Sequence, residues 1–329
     1  MRETYEFEIS KTRCRMQDIL KLKPIFQERI WGGRALEEYF GYEIPSDTTG
    51  ECWAISAHRN GDCLIENGEL AGKKLSEVYK SHRDLFGRIN SPVFPLLTKI
   101  LDAKNDLSVQ VHPDDEYAMQ VENDLGKTEC WYILDCEEGA ELIFGHTART
   151  RKELEEMIQR GNWDSLLTRV SIQPGDFFYV PSGTIHALCK GTLVLETQQS
   201  SDTTYRVYDY DRVDDEGKKR DLHIESSIKV AMVPHVGTRV HPTVQEEENL
   251  TITHYVDSTF FTVEKWDVHG ESDKKLPGFT LVSILTGEGT MNDLPIKKGD
   301  HFILTEAKDT MKLEGQFTAM VSWIAKIKC

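Results

Sequence analysis

Gln110 and His112 stand two residues apart in the stretch LSVQVHP, Leu107 to Pro113. Leu107, Val109 and Val111 alternate with Ser108, Gln110 and His112, the period of a strand with one apolar and one polar face. An imidazole beside an amide on such a face is ordinary in solvent. If the face points inward, the imidazole can hold a metal ion or move a proton. Glu129 raises a similar question in ECWYIL, because a carboxylate buried among aromatic residues needs a partner. Glu196, in VLETQQ, alternates with Leu195 and Thr197 and can share a face with Val194 and Gln198. It can be a general base or a buried structural carboxylate.

The elements that would position these groups are mainly strands. From Leu20 to about Pro234, short apolar segments such as FPLLTKIL and CWYILDC are separated by Gly- and Asp-containing turns, the pattern of an all-β barrel or sandwich. Helical pieces interrupt them. DDEYAMQVEND has Asp114 and Asp115 placed for a helix N-terminus, and TRKELEEMIQRGNWDSLLTR offers Thr150 as a cap and Leu154, Ile158, Leu166 and Leu167 as an apolar stripe. The second piece makes a helical insertion over about 147–170. DLHIESSIKVAM reads as a bridging helix, and TRVHPTVQEEEN as an acidic, turn-rich linker.

This divides the chain into a tail or edge strand over 1–15, a catalytic domain over 16–235 and a second β domain over 236–329. A repeat links the last two. PGDFFYVPSGTIHAL and KGDHFILTEAKDTMKL align Gly175-Asp176 on Gly299-Asp300, and place Thr310 where the first copy has His186. The second copy is therefore expected to be structural and to hold no metal.

Composition narrows the partners. The 39 Lys and Arg against 55 Asp and Glu leave a formal charge of −16, which argues against a nucleic acid, whose binding depends on clustered cations. A small phosphorylated ligand remains compatible, because distant charges are screened within about 10 Å. Seven scattered cysteines with no C-x-x-C point to reduced thiols in the cytoplasm and against a cysteine-held zinc. No apolar run approaches the roughly 18 residues of a membrane helix, and no signal-peptide core is present. No protein partner is implied.

Gly175, Pro181, Gly183 and His186 in GDFFYVPSGTIH fit the second cupin motif, G-(x)5-P-x-G-x-x-H, while the first motif is changed to Q-x-H at Gln110 and His112. With FQERIWGGRAL, LSVQVHPDDEYA, GKTECWYIL and the run from VPSGTIHAL to TTYRVYDYDR, the chain from about Met16 onward resembles the short bacterial form of type I mannose-6-phosphate isomerase. That resemblance implies two cupin-type (jelly-roll) β-barrels. It implies one zinc ion on His112, Glu129 and His186, with Gln110 adjacent, and an aldose–ketose isomerisation of mannose 6-phosphate and fructose 6-phosphate through an enediol. It also gives Arg206 a catalytic role and places Lys127 and Lys99 at the active site, for proton transfer or for phosphate. Ser108 would meet phosphate or sugar, and Trp31 the pocket mouth.

Two imidazoles and one carboxylate with an open position suit a catalytic zinc, and equally the facial triad of an Fe(II) oxygenase. A cupin oxygenase and a non-catalytic phosphosugar-binding cupin are the alternative readings.

Overall fold

The computed structural model describes residues 17–87, 89–213 and 217–325; the expected tail over 1–15 lies outside them. The architecture is β-dominated, as expected, and two antiparallel sheets frame the residues of interest. One sheet has the order Phe177–Val180, Glu129–Cys136, Thr192–Gln199, Leu96–Ala103, Thr49–Ile55 and Ile25–Gly33. The other has the order Leu167–Ser171, Glu141–His146, His186–Leu188, Val109–Val111 and Tyr205–Tyr208. Leu101, Trp131, Ile133 and Val194 of the first pack with Leu142, Phe144 and Leu188 of the second, so the two sheets face each other across an apolar core. Their hydrogen-bond ladders remain open rather than closing into continuous barrels.

The six-stranded sheet is covered on its other face as well. Cys52, Ala54, Ile100, Cys130, Leu134 and Leu195 belong to a cluster that also holds Phe279, Leu281, Ile303 and Met320 from the C-terminal part of the chain. Double coverage explains why Leu96–Ala103 and Thr192–Gln199 are buried at every position, and why their sequences show little alternation.

The C-terminal part forms a nine-stranded sheet built on the long strands Phe261–Lys275, Thr280–Met291 and Thr310–Ile324. Its own core contains Trp266, Ile284, Phe302 and Val321. The strand Ile19–Lys23 crosses the division drawn at residue 235 and joins this sheet, with Ile19 opposite Leu304 and Leu22 opposite His301. Thr243–Glu247, read from sequence as linker, is an edge strand paired with Leu250–Asp257. Nearly every residue of it is exposed, so no apolar face marked it.

The internal repeat is visible as geometry. Gly175 and Gly299 both have positive φ, 95° and 86°. Asp176 accepts from the Gln173 N–H at 2.9 Å and Asp300 from the Lys297 N–H at 3.0 Å. Thr310 is exposed at the start of its strand.

The helical insertion is two helices, Arg151–Gln159 and Trp163–Leu166, separated at Gly161, whose φ is +66°. Thr150 caps the first, accepting from the Glu153 N–H at 3.2 Å, and Leu154, Ile158 and Leu166 face the core; Leu167, expected on the same helical stripe, instead begins the strand Leu167–Ser171. Asp114 caps Asp115–Val121, and the bridging helix is Ile224–Val230. Two helices went unanticipated, Ala35–Phe40 and Leu75–Ser81. Each is about two turns or less, too short for a periodic signature.

Candidate metal centre and active-site cavity

The polar face of the opening strand points between the sheets. Gln110 pairs with His186 on the strand at one side and with Arg206 on the strand at the other. Glu129 begins the strand Glu129–Cys136 of the facing sheet, and it meets the two histidines across the gap. His112, Glu129 and His186 offer ligand atoms that all lie within 4.8 Å of one another. His112 Nε2 is 3.5 Å from Glu129 Oε2 and His186 Nε2 is 3.3 Å from Glu129 Oε1.

The second nitrogen of each ring is engaged by the backbone. His112 Nδ1 lies 2.9 Å from the Thr203 carbonyl and His186 Nδ1 2.8 Å from that of Thr184. Donation from Nδ1–H to a carbonyl fixes the tautomer and leaves the Nε2 lone pair facing the cluster. Burial keeps both rings neutral, taking His112 well below the usual imidazole range and His186 down to about 4. Neutral imidazole is the form that binds a metal.

Glu129 is fully buried, and neither carboxylate oxygen accepts a well-directed hydrogen bond, although the Lys127 ammonium lies 2.8 Å from Oε2. A buried anion so poorly satisfied is costly without a further cation. Two neutral nitrogens and this carboxylate therefore fit a divalent ion.

The turn Pro181-Ser182-Gly183-Thr184 builds the cluster from the backbone outward. Its Gly183 N–H donates to the His112 carbonyl at 2.8 Å, its Ser182 N–H to Thr128 Oγ1 at 3.2 Å, and its Thr184 carbonyl holds His186. One turn thus braces the neighbourhoods of all three residues. Gly183 adopts φ +85°, which only glycine takes without strain.

Beside the cluster lies a cavity of about 280 Å³ whose lining includes Trp31, Lys99, Ser108, Gln110, Lys127, Glu196 and Arg206. Every residue singled out from sequence therefore lies at the cluster or on this cavity. Gln110 Nε2 is 3.4 Å from His186 Nε2. Lys127 sits among His112 at 3.3 Å, Glu129 at 2.8 Å and Glu196 at 3.7 Å. Burial opposes its charge, but Glu129 and then Glu196 outweigh that and hold its pKa above the usual lysine value.

Glu196 is 3% exposed and accepts from Trp131 Nε1–H at 3.0 Å. Burial, then repulsion from Glu129, raises its pKa, a direction that favours proton exchange near neutral pH. Lys99 is equally buried, 4.4 Å above the Trp53 ring and 3.6 Å from Asp202. Arg206 is half-buried, gives Nη1–H to the Asp221 carbonyl, and has a buried Nε with no acceptor. Trp31 lines the cavity and also belongs to the intersheet core.

Four charged lining residues were missed from sequence: Arg29, Glu51, Asp202 and Arg220. Arg29 had a usable signal, since it precedes Trp31 by two in FQERIW and shares its strand face. Arg29 grips Glu51 through two hydrogen bonds at 3.1 and 3.0 Å. Arg220 lay in the surface-like charge run KKRDLH and had none. With these included, the lining carries five cationic residues, Arg29, Lys99, Lys127, Arg206 and Arg220, against three carboxylates, Glu51, Glu196 and Asp202. In a chain of formal charge −16, this local excess of cations favours an anionic ligand.

Facing antiparallel sheets, a His/Glu/His cluster between them and a cation-rich cavity beside it define a cupin-type protein with a candidate metal centre. Residues 19–147 match the family model for the catalytic domain of type I phosphomannose isomerase, and residues 251–324 the model for the cupin domain of mannose-6-phosphate isomerase. The chain is 54% identical to mannose-6-phosphate isomerase ManA of Bacillus subtilis over 92% of this chain and 98% of the relative. It is 50% identical to mannose-6-phosphate isomerase of Streptococcus mutans over 93% and 98%. A crystal structure of mannose 6-phosphate isomerase from Bacillus subtilis superposes with a TM-score of 0.91 at 51% identity, over 94% of this chain and all of the other. The chain belongs to the type I phosphomannose isomerase family.

Proposed function

We propose that this chain interconverts mannose 6-phosphate and fructose 6-phosphate with one Zn²⁺ held by His112, Glu129 and His186 and with Gln110 beside them. The convergence of two neutral imidazoles and a fully buried carboxylate beside a cation-rich cavity carries the reading, in a chain at least half identical to mannose-6-phosphate isomerases. The bound ion supplies Lewis-acid polarisation of a sugar oxygen.

The remaining work falls to side chains of the cavity. In the open-chain sugar a proton leaves C2 and returns at C1, while a hydroxyl proton moves from O2 to O1, through an enediol. Glu196, buried and with a raised pKa, takes and returns the carbon-bound proton. Lys127, 3.7 Å from Glu196, steadies that carboxylate and the oxygen on which negative charge develops. Arg206, with its unused Nε, stabilises the same charge. Ser108, Lys99 and Arg220 hold the phosphate, whose binding energy orients the reacting carbons, and Trp31 closes the apolar side.

The donor set alone also suits Fe(II), but the excess of cations in the cavity favours a phosphorylated sugar. The free thiols of Cys52, Cys63, Cys130, Cys136 and Cys189 accord with a reducing compartment such as the cytoplasm. Among the described residues no helix is long and apolar enough to cross a membrane. A coupled assay with mannose 6-phosphate, run before and after chelation and after return of Zn²⁺, tests the reading. It fails if interconversion is absent from the metal-loaded protein or undiminished in the stripped one.

A further inference from the structure

Three arginines gather where the strand Tyr205–Tyr208 ends. Arg206 and Arg220 both line the cavity, and after burial the charge of Arg220 is the strongest influence opposing that of Arg206. The carboxylates of Asp209 and Asp221 both offset that repulsion at Arg206. Asp209, only 5% exposed, accepts from Arg220 Nε–H at 2.8 Å and Nη2–H at 2.6 Å. The same carboxylate accepts from Arg212 Nη2–H at 2.5 Å. Arg212 in turn donates through Nη1–H to the Asp106 carbonyl, just before the segment that carries Ser108 and Gln110.

Asp209 itself is not among the residues lining the cavity. Its carboxylate occupies the Nε/Nη2 fork of Arg220, which fixes the guanidinium plane and leaves the Nη1 edge as the part still available to a ligand. A fork held this way loses little further side-chain entropy when it binds an anion. Arg212 does not line the cavity, so the cations that this end of the strand presents to a ligand are Arg206 and Arg220.

We propose that Asp209 is a positioning residue that sets Arg220 as one jaw of the phosphate grip, with Arg206 and Ser108 nearby, and ties that jaw through Arg212 to the segment leading into the metal-binding strand. Asp209 touches neither substrate nor metal. Its contribution is to substrate affinity, through Arg220, and not to the proton transfers. This rests on the proposed phosphosugar reading.

The test measures KM and kcat for mannose 6-phosphate, and competitive inhibition by inorganic phosphate, for the metal-loaded wild type and for Asp209→Asn, Arg220→Ala and the double variant. Metal content and thermal midpoint are recorded for each. Asp209→Asn is expected to raise KM and the phosphate inhibition constant together, by about tenfold, with kcat within about threefold of wild type. The double variant should be no worse than Arg220→Ala alone, because both changes disable the same jaw. Asp209→Glu, which keeps the charge, should recover part of the affinity and covers the case in which the asparagine variant folds poorly. The proposal is overturned if Asp209→Asn lowers kcat or the thermal midpoint while KM and phosphate inhibition stay unchanged. It is equally overturned if the two substitutions add, or if Asp209→Glu recovers nothing. Wild type that neither turns over the sugar phosphate nor binds phosphate defeats the functional reading itself, an outcome visible before any variant is made.

Discussion

Gln110 and His186 stand opposite each other on adjacent antiparallel strands, and the amide nitrogen of one reaches to 3.4 Å from the imidazole Nε2 of the other. With His186 Nδ1–H given to the Thr184 carbonyl, that Nε2 is an acceptor, and the amide N–H donates to it. A metal on the same nitrogen would displace this hydrogen bond and turn the amide to offer its oxygen. Gln110→Ala should therefore weaken metal binding by about 10- to 100-fold without unfolding the sheet. Titration with a competing chelator measures this, and an unchanged affinity would remove Gln110 from the metal environment.

Glu196→Gln separates chemistry from assembly. The amide oxygen can still accept from Trp131 Nε1–H, which now binds Glu196 Oε2 at 3.0 Å, so fold and metal content should persist. Loss of the base should lower kcat by about 10²- to 10⁴-fold. Turnover near the wild-type rate with full metal would assign the proton transfer to another group.

The turn that holds the cluster together is open to a single-methyl test. A Cβ at Gly183 would lie 3.0 Å from the Val230 carbonyl oxygen and would force a left-handed conformation on alanine at φ +85°. Gly183→Ala should cost about 1–2 kcal/mol of stability. It should also weaken metal binding, because the same turn supports His112 and His186. Calorimetry together with metal analysis reads both effects; a stable variant with normal metal affinity would show that the turn does not position the ligands.

Acid sensitivity should come in part from the C-terminal sheet. His301 is 1% exposed, with Nε2 2.9 Å from Tyr42 Oη and Nδ1 2.9 Å from Ser283 Oγ. Burial, then the nearby Lys21, pushes its pKa down to about 3. The folded state therefore resists a proton that the unfolded chain takes up near pH 6.5. The stabilising contribution is complete above about 6.5 and is lost progressively as pH falls toward 3. His301→Gln should flatten the fall in thermal midpoint between pH 7 and 4, relative to its own value at pH 7. An unaltered slope would place the acid-sensitive groups elsewhere.

Sequence carried the site further than it carried the architecture. His112, Glu129 and His186 are separated by long stretches of chain, yet each sits in a local motif whose turn or strand has its own signature, and the motifs converge on one cluster. Thr150 and Asp114 announced their helices through capping chemistry that is read over four residues. Features that depend on contacts distant in sequence were not legible. The pairing of Ile19–Lys23 with His301–Leu304 depends on tertiary packing, which no local pattern encodes. The edge strand Thr243–Glu247 has a single apolar side chain, the exposed Val244, and looks like a loop. Arg220 and Asp202 reach the cavity from segments that read as solvated surface.

Metal content measured alongside turnover tests the central claim most directly. The purified protein should hold one Zn²⁺ per chain and interconvert mannose 6-phosphate and fructose 6-phosphate. His186→Ala should lose both the ion and the activity, and a chelator should abolish turnover until Zn²⁺ is returned. Undiminished interconversion by the metal-free protein, or an ion retained in full by His186→Ala, would contradict the account.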